Sequence, residues 1–465
     1  MPNAIDRPRT FLGHPRGLLT LALAESFERF SYYGMQSLLV LYLIHSLLQP
    51  GHVEHVLGFA TLRHGIEAVT GPLSDAALAS QIFGLYAGMV YLTPLFGGLL
   101  ADRVLGRTTA VASGALLMVA GHFLMAFDAS FVLAMGLLLC GEGLFKGNIA
   151  SQVGELYARG DTRLAGAFLI FQNAINTSVI LSPLLCGTLG EKAGWHWGFG
   201  AAGVVMVLAL GVYLYGRPHL PKPVPRARLE AAVHAPVSAR EWRAMALLVL
   251  LLPVLAASQV GNQQMFNAYV VWGEQRLALT WLGWSMPVTW LLSLDAFLAL
   301  AMTLAVLLFW RWWATRRREP DEIVKIAIGT AIMALAPLLL AAASALTPVG
   351  TRISLSWALA FHVVNEIGFA MVIPVGLALY SRAAPPRFIG LMIGLFYLLF
   401  FFSNLVVGRL GGLLGTMTPA AFWTMHAGIV GAAAVVLAAA AQFGRGVLAP
   451  GPALRLDMAQ AVPAG

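Results

Sequence analysis

Charge is what this sequence has least of. Of its 465 residues only 11% are Asp, Glu, Lys or Arg, while 59% are hydrophobic. Water-soluble domains hold about 25% charged residues, so a large soluble helical protein is set aside. Cysteine is nearly missing too. Cys140 and Cys186 both fall inside apolar segments, which implies no disulfide scaffold and reads them as small core residues. No cleavable signal peptide is evident: the first apolar run starts only after about sixteen residues and already contains glutamates, as a retained helix would. Metal-ligand clusters, nucleotide loops and activated serine or cysteine patterns are also missing, so the sequence points to no enzyme, no metal and no cofactor.

What is abundant is apolar sequence in blocks of roughly 20 to 28 residues, the length a helix needs to cross a bilayer. Glycine (48) and tryptophan (12) are plentiful, as suits close helix packing and interfacial rings. The blocks predict an all-α polytopic membrane protein with twelve spans: 17–45, 77–100, 108–127, 131–151, 163–186, 196–216, 243–270, 283–311, 322–345, 353–380, 387–412 and 420–443. With the N-terminus placed in the cytoplasm, Lys and Arg outside the membrane divide twenty-two inside against four outside. That bias predicts both termini inside, and it accounts for the net charge of +8 without nucleic acid. The proline-rich basic stretch 217–242 separates six spans from six, giving units 1–216 and 243–465 joined by a cytoplasmic linker. Two six-helix halves are the layout of alternating-access carriers, each chain complete in itself, so a working monomer is expected. The long outer connection 46–76 reads either as a cap or as a loosely ordered surface.

Few charges remain at membrane depth: Glu25, Glu28 and Arg29 in the first span, Glu142 and Lys146 in the fourth, Asp295 in the eighth, Glu366 in the tenth and Arg409 late in the eleventh. A buried charge in hydrocarbon costs several kcal/mol, so each must pair or line a wet cavity. Spacings of three and four put Glu25, Glu28 and Arg29 on one helical face. Lys146 follows Glu142 by four, and that acid reads as a local partner. The first span ascends and the fourth descends, so the two sets can meet. Carboxylates beside an arginine and a lysine can take up a proton and re-pair, as a proton-coupled carrier requires.

The segment from Gly97 to Arg107 combines glycines for close approach with Asp102, Arg103 and Arg107, which can latch the loop to neighbouring helix ends. It resembles the gating loop between the second and third spans of the major facilitator superfamily. Glu25-Ser26-Phe27-Glu28-Arg29-Phe30-Ser31-Tyr32-Tyr33-Gly34 is similar to the first-span signature of one branch, the proton-dependent oligopeptide transporters. The likeness continues in Tyr91-Leu92-Thr93-Pro94, Lys146-Gly147-Asn148 and Asp161-Thr162-Arg163 with Phe168, Phe171, Ile175 and Asn176. It is weaker in Gln259, Ser293-Leu294-Asp295 and Pro374-Val375-Gly376-Leu377 leading to Pro385. The resemblance implies proton-driven import of di- and tripeptides in a bacterial-type inner membrane. Glu25, Glu28, Arg29 and Lys146 would couple protons, and Lys146 would also face the peptide carboxylate. Tyr32, Tyr33, Tyr91 and Asn176 would line the site, with one of the adjacent tyrosine rings at most touching substrate.

The chain departs from that pattern at several pocket positions. Gln36 stands where an arginine is common, Ser258 precedes Gln259 where a glutamate is common, Gln172 replaces a tyrosine and Asp295 an asparagine. The joint loss of arginine and glutamate leaves no orphan charge, and predicts that the outer gate closes through neutral hydrogen bonds or other contacts. Glu366 sits one turn nearer the outside than the family's glutamate, so Asp295 and Glu366 are expected to share the peptide's amino end, with Arg409 an alternative partner for one of them. Two further readings stay open: a proton-coupled carrier of another small solute, which the altered pocket motivates, and a drug/proton antiporter. A non-transporting sensor would need an appended signalling domain.

Overall fold

The computed structural model describes residues 10–11, 13–158, 161–220, 237–281, 283–348, 350–385 and 388–444. Most of the 217–242 linker, together with Arg7, Arg9, Arg159, Arg387, Arg445 and Arg455, therefore lies outside the described residues. What is described is almost entirely helical, with the elements following the apolar blocks. The first half comprises α1 (Arg16–Tyr42), α2 (Phe59–Thr70), α3 (Asp75–Leu100), α4 (Arg107–Leu124), α5 (Phe131–Glu155), α6 (Leu164–Ser182), α7 (Thr188–Ala193) and α8 (Trp195–Gly216). The second half comprises α9 (Ala239–Ser258), α10 (Val260–Gln263), α11 (Ala268–Arg276), α12 (Trp290–Ala314), α13 (Glu322–Leu346), α14 (Leu355–Ala383), α15 (Ile389–Gly411) and α16 (Pro419–Phe443). Two short antiparallel hairpins complete the list. β1 (Thr10–Phe11) pairs with β2 (His14–Pro15), and β3 (Thr280–Trp281) with β4 (Trp284–Ser285).

Local chemistry sets the helix starts. Ser74 accepts from the Ala77 amide ahead of α3, Thr418 does the same for Ala421 ahead of α16, and Ser238 and Glu241 form a reciprocal capping box at α9. Among the described residues ten helices are long and apolar enough to cross a membrane. The other two of the twelve spans are α1, diluted by its buried acids and arginine, and α4, diluted by Arg107, Thr108, Thr109 and His122. Both are held among protein neighbours, α1 against α6 and α8, and α4 against α5 and α8.

Two expectations change, and one open reading is decided. Span 243–270 is broken into α9, α10 and α11, with a 3-10 turn at Gln264–Phe266. The eighth span starts at Trp290 rather than 283, because β3 and β4 occupy its predicted start. The connection 46–76 is ordered and contains α2, whose Phe59, Leu62 and Ile66 sit on one helical face and pack into the core. That spacing was a usable sequence signal.

The bundle has a terminal face, where α1 begins and α16 ends, and a distal face opposite. At the distal face the two halves share one hydrophobic core: Leu38, Tyr42 and Phe199 belong to the same cluster as Tyr269, Trp272, Leu291, Phe361 and Trp423. Toward the terminal face the second half keeps a separate core around Leu248, Met333, Tyr380 and Phe396. The halves therefore share a core at the distal face, while toward the terminal face they meet along α3 and α15, where Tyr91 packs against Phe400. Within the first half, Gly97 lies so close to α5 that a Cβ there would meet the Gly143 carbonyl oxygen at 1.9 Å, which explains the glycine ahead of the 97–107 loop.

Candidate functional site

At 1.5 Å per residue, Glu25 to Arg29 lie roughly 14 to 20 Å along α1, and Lys146 roughly 14 Å back from the end of α5. The antiparallel helices bring these depths together. Arg29 Nε donates to Glu28 Oε2 at 2.5 Å and lies 3.3 Å from Glu25 Oε1, while its Nη2 donates to Glu142 Oε1 at 2.6 Å. Lys146 Nζ stands 3.6 Å from the same Glu142 oxygen. The carboxyls of Glu28 and Glu142 also face each other within hydrogen-bonding range. Glu28 Oε1 and Glu142 Oε2 find no donor among the described residues.

Aromatic rings border this cluster. The Arg29 guanidinium sits 5.2 Å from the Tyr32 ring centroid and Lys146 Nζ 4.5 Å from that of Tyr91, which itself stacks on Phe400 of α15 at 4.9 Å. Tyr32 is buried and Tyr33 half-buried, their rings edge to face at 5.0 Å. Gln172 is exposed and donates to Asn176 Oδ1 at 3.1 Å one turn along α6.

A second polar cluster lies in the other half, nearer the distal face. His362 Nδ1 is 2.8 Å from Asp295 Oδ1, and its Nε2 is 2.9 Å from the Tyr269 hydroxyl. Glu366, one turn after His362, faces the Asp295 carboxyl within hydrogen-bonding range. It accepts from Asn365 at 2.7 Å and from Asn262 at 3.4 Å.

The distal face is closed by contacts between the halves. The Asn267 amide donates to Ser80 Oγ at 2.7 Å, and that hydroxyl donates to the Gly408 carbonyl at 2.9 Å. Glu191 accepts from the Val288 amide at 2.9 Å, the Thr289 amide at 3.0 Å and the Thr289 hydroxyl at 2.6 Å, all ahead of α12. His45 Nε2 lies 2.7 Å from Glu274 Oε2.

Residues 108–243 match the sequence model of the POT family, PTR2. The peptide transporter YePEPT of Yersinia enterocolitica is 28% identical, with 87% of this chain and 89% of the relative covered. A di-/tripeptide transporter of Lactococcus lactis is also 28% identical, over 93% of this chain and 96% of its own length. Among solved structures, the peptide transporter POT in complex with sulfate superposes with a TM-score of 0.78 at 25% identity, covering 94% of this chain and 96% of that one. The chain is similar to the POT family over that stretch and to POT transporters over nearly its whole length. Its fold is that of the major facilitator superfamily, and the family is one of multi-pass membrane transporters.

In this chain the structure brings Glu25, Glu28, Arg29 and Lys146 into one group, with Tyr32 and Tyr91 on its border. It also joins Gln172 to Asn176 and Asp295 to Glu366. Ser258 and Gln36 are not drawn in: Ser258 is buried and donates to the Leu255 carbonyl, and Gln36 is buried with its Oε1 unpartnered among the described residues. Arg107 latches to Glu155 and lies 3.4 Å from Asp102, whereas Asp102 and Arg103 are exposed. Arg409 is exposed and so is not the partner of Asp295 or Glu366. The distal gate is only partly neutral, since Glu191 and Glu274 contribute carboxylates to it. Sequence reasoning gave Glu142 too local a role and overlooked His362 and Tyr269. On the terminal side, Arg163 donates to Asp161 at 2.8 Å and holds that half-buried carboxyl down at about 2.

Proposed function

We propose that this chain is a proton-coupled symporter that imports di- and tripeptides by alternating access. The observation behind the reading is the charge balance of the α1–α5 cluster: Glu25, Glu28 and Glu142 surround only two fixed cations, Arg29 and Lys146. With all three acids ionised the group is one charge short of neutral, and at this depth a bound proton restores balance. Lys146 is the least buried member, its side chain 29% exposed. A peptide carboxylate arriving there competes with Glu142 for the ammonium, so substrate binding and proton binding act on the same acid. Tyr33, Tyr91, Gln172 and Asn176 supply rings and amides along the peptide. Relatives called peptide and di-/tripeptide transporters, and a solved peptide transporter in complex with alafosfalin at 27% identity, support this substrate class.

The arginine and lysine bias supports a cytoplasmic terminal face, and the bacterial relatives support a bacterial-type inner membrane. The state described is then the one closed at the outer face. The proton gradient supplies the driving force with no cofactor, and a single chain suffices. The test is uptake into proteoliposomes. Acidifying the outside should drive dipeptide accumulation, and a protonophore should abolish it; uptake indifferent to the gradient refutes the coupling. The altered positions Gln36, Gln172, Ser258 and Asp295 favour one rival, a carrier of another small solute. A competition screen with dipeptides, free amino acids and organic ions separates the two.

A further inference from the structure

The second polar cluster has a composition that a packing role does not need. Asp295 is 8% exposed, Glu366 1% and His362 0%, yet two of these are acids facing each other. No lysine or arginine reaches them among the described residues. Two carboxylates in contact at low dielectric repel strongly, and one proton between them turns repulsion into a hydrogen bond. We propose that Asp295, Glu366 and His362 form a second proton-binding site, in the C-terminal half, with its proton held by the acid pair and exchanged along the His362–Tyr269 side.

The geometry gives each member a task. In the neutral ring, Nδ1–H donates to Asp295 Oδ1 and Nε2 accepts from Tyr269 O–H. A proton delivered to Nε2 converts the ring to imidazolium. Loss of the Nδ1 proton to Asp295 then regenerates neutral imidazole in the other tautomer, so one proton passes through the ring and the charge is conserved. Asn365 and Asn262 hold the far side of Glu366. From there a run of amides continues: Gln263 donates to Asn262 at 2.9 Å, and Asn404 of α15 donates to Gln263 at 3.1 Å. Asn404 lies at the seam with α3, where a Cβ on Gly84 would meet its carbonyl oxygen at 2.4 Å. The acid pair is thus connected to the surface along which the halves must part.

The groups facing this site are few. α11 presents Tyr269, α12 Asp295 and α14 Glu366 alongside His362. The ionisable groups of α13 are Glu322 and Lys325 near its terminal-face end, paired with Arg382 and Glu319. Tyr397 and Arg409 of α15 are exposed. His426 of α16 points to Gln264 and the Phe422 carbonyl instead. Asp295 sits roughly 8 Å along α12 from its start, just below the Val288–Thr289 segment that Glu191 holds. Opening that contact uncovers the acid pair from the distal side.

The place of this site in the transport cycle rests on the proton-coupled reading above; proton binding itself does not, and the experiment measures binding alone. Infrared spectra of the substrate-free full chain in nanodiscs, recorded between about pH 5 and pH 9, should show a protonated-carboxyl band that Asp295→Asn or Glu366→Gln removes. His362→Gln should keep that band but move the pH at which it disappears. Glu28→Gln should remove a different band and leave this one in place. The proposal is overturned if the spectra of Asp295→Asn and Glu366→Gln match the unsubstituted chain throughout, or if His362→Gln leaves the pH response where it was. Should either acid variant fail to fold, the His362→Gln spectrum decides alone.

Discussion

In the N-terminal half every buried acid of the cluster reaches a fixed cation, while in the C-terminal half no acid of the cluster does among the described residues. Glu25, Glu28 and Glu142 converge on Arg29 at 3.3, 2.5 and 2.6 Å. Asp295 and Glu366 have each other, a histidine and amides. A fixed cation is a permanent charge, so the first cluster is a network whose pairing shifts when a proton arrives or leaves. Histidine carries charge only when protonated, so the second cluster can change its net charge without stranding an ion. The two halves therefore answer the cost of buried charge differently, one with counter-ions and the other with protons.

The largest effect that sharpens this contrast comes from Arg29→Ala. It strands Glu25 and Glu28 and leaves Glu142 with Lys146 alone, and breaking a buried pair by removing one partner costs about 3 to 5 kcal/mol. Thermal unfolding in detergent should show a marked loss of stability, and uptake should fall to background. His362→Gln leaves its neighbours able to share a proton and should be far milder in the same unfolding assay. Equal destabilisation by both changes would erase the distinction between the halves.

Next in size is Glu142→Gln. It removes the surplus acid, leaving Glu25 and Glu28 against Arg29 and Lys146, a set that is neutral without any proton. Hydrogen bonds to charged groups contribute about 1.5 to 3 kcal/mol, so gradient-driven accumulation should fall roughly ten- to a hundred-fold. Glu142→Asp should recover part of it. If Glu142→Gln accumulates peptide as well as the unsubstituted chain, the surplus acid is not where coupling resides.

How far these clusters could be seen in the sequence differs in the same way. Spans and the α1 triad were legible because hydropathy and i, i+3, i+4 spacing are local properties of the chain. Glu142 shows the limit. Its visible neighbour Lys146, four residues on, is 3.6 Å away, while the closer partner Arg29 lies 113 residues earlier. His362 is harder still, since a lone histidine in an apolar helix reads as core, and its partners Asp295 and Tyr269 are 67 and 93 residues distant. The broken span around Gln264 was hidden because an apolar run reports burial rather than helical continuity. Glu191 is a similar case: its partners Val288 and Thr289 lie 97 and 98 residues away, and only the fold sets them together.

The smallest effect concerns the seam where the two halves meet. The Asn267 amide donates to Ser80 Oγ across that seam, and Asn267 and Ser80 are both buried. Asn267→Ala removes a neutral hydrogen bond that holds the halves together at the distal face, a contribution of about 1 kcal/mol. The loss falls on the distally closed state alone if Asn267 parts from Ser80 when the halves separate, so the population should move about fivefold toward the open state. Spin labels placed on the distal ends of α3 and α15 would read this as a larger fraction of long distances. Both proton clusters should respond in opposite senses, because opening uncovers Asp295 and its neighbours from the distal side while the α1–α5 group loses its access from the terminal side. A longer distance distribution with no change in the carboxyl bands of either cluster would mean that the gate and the proton sites move independently.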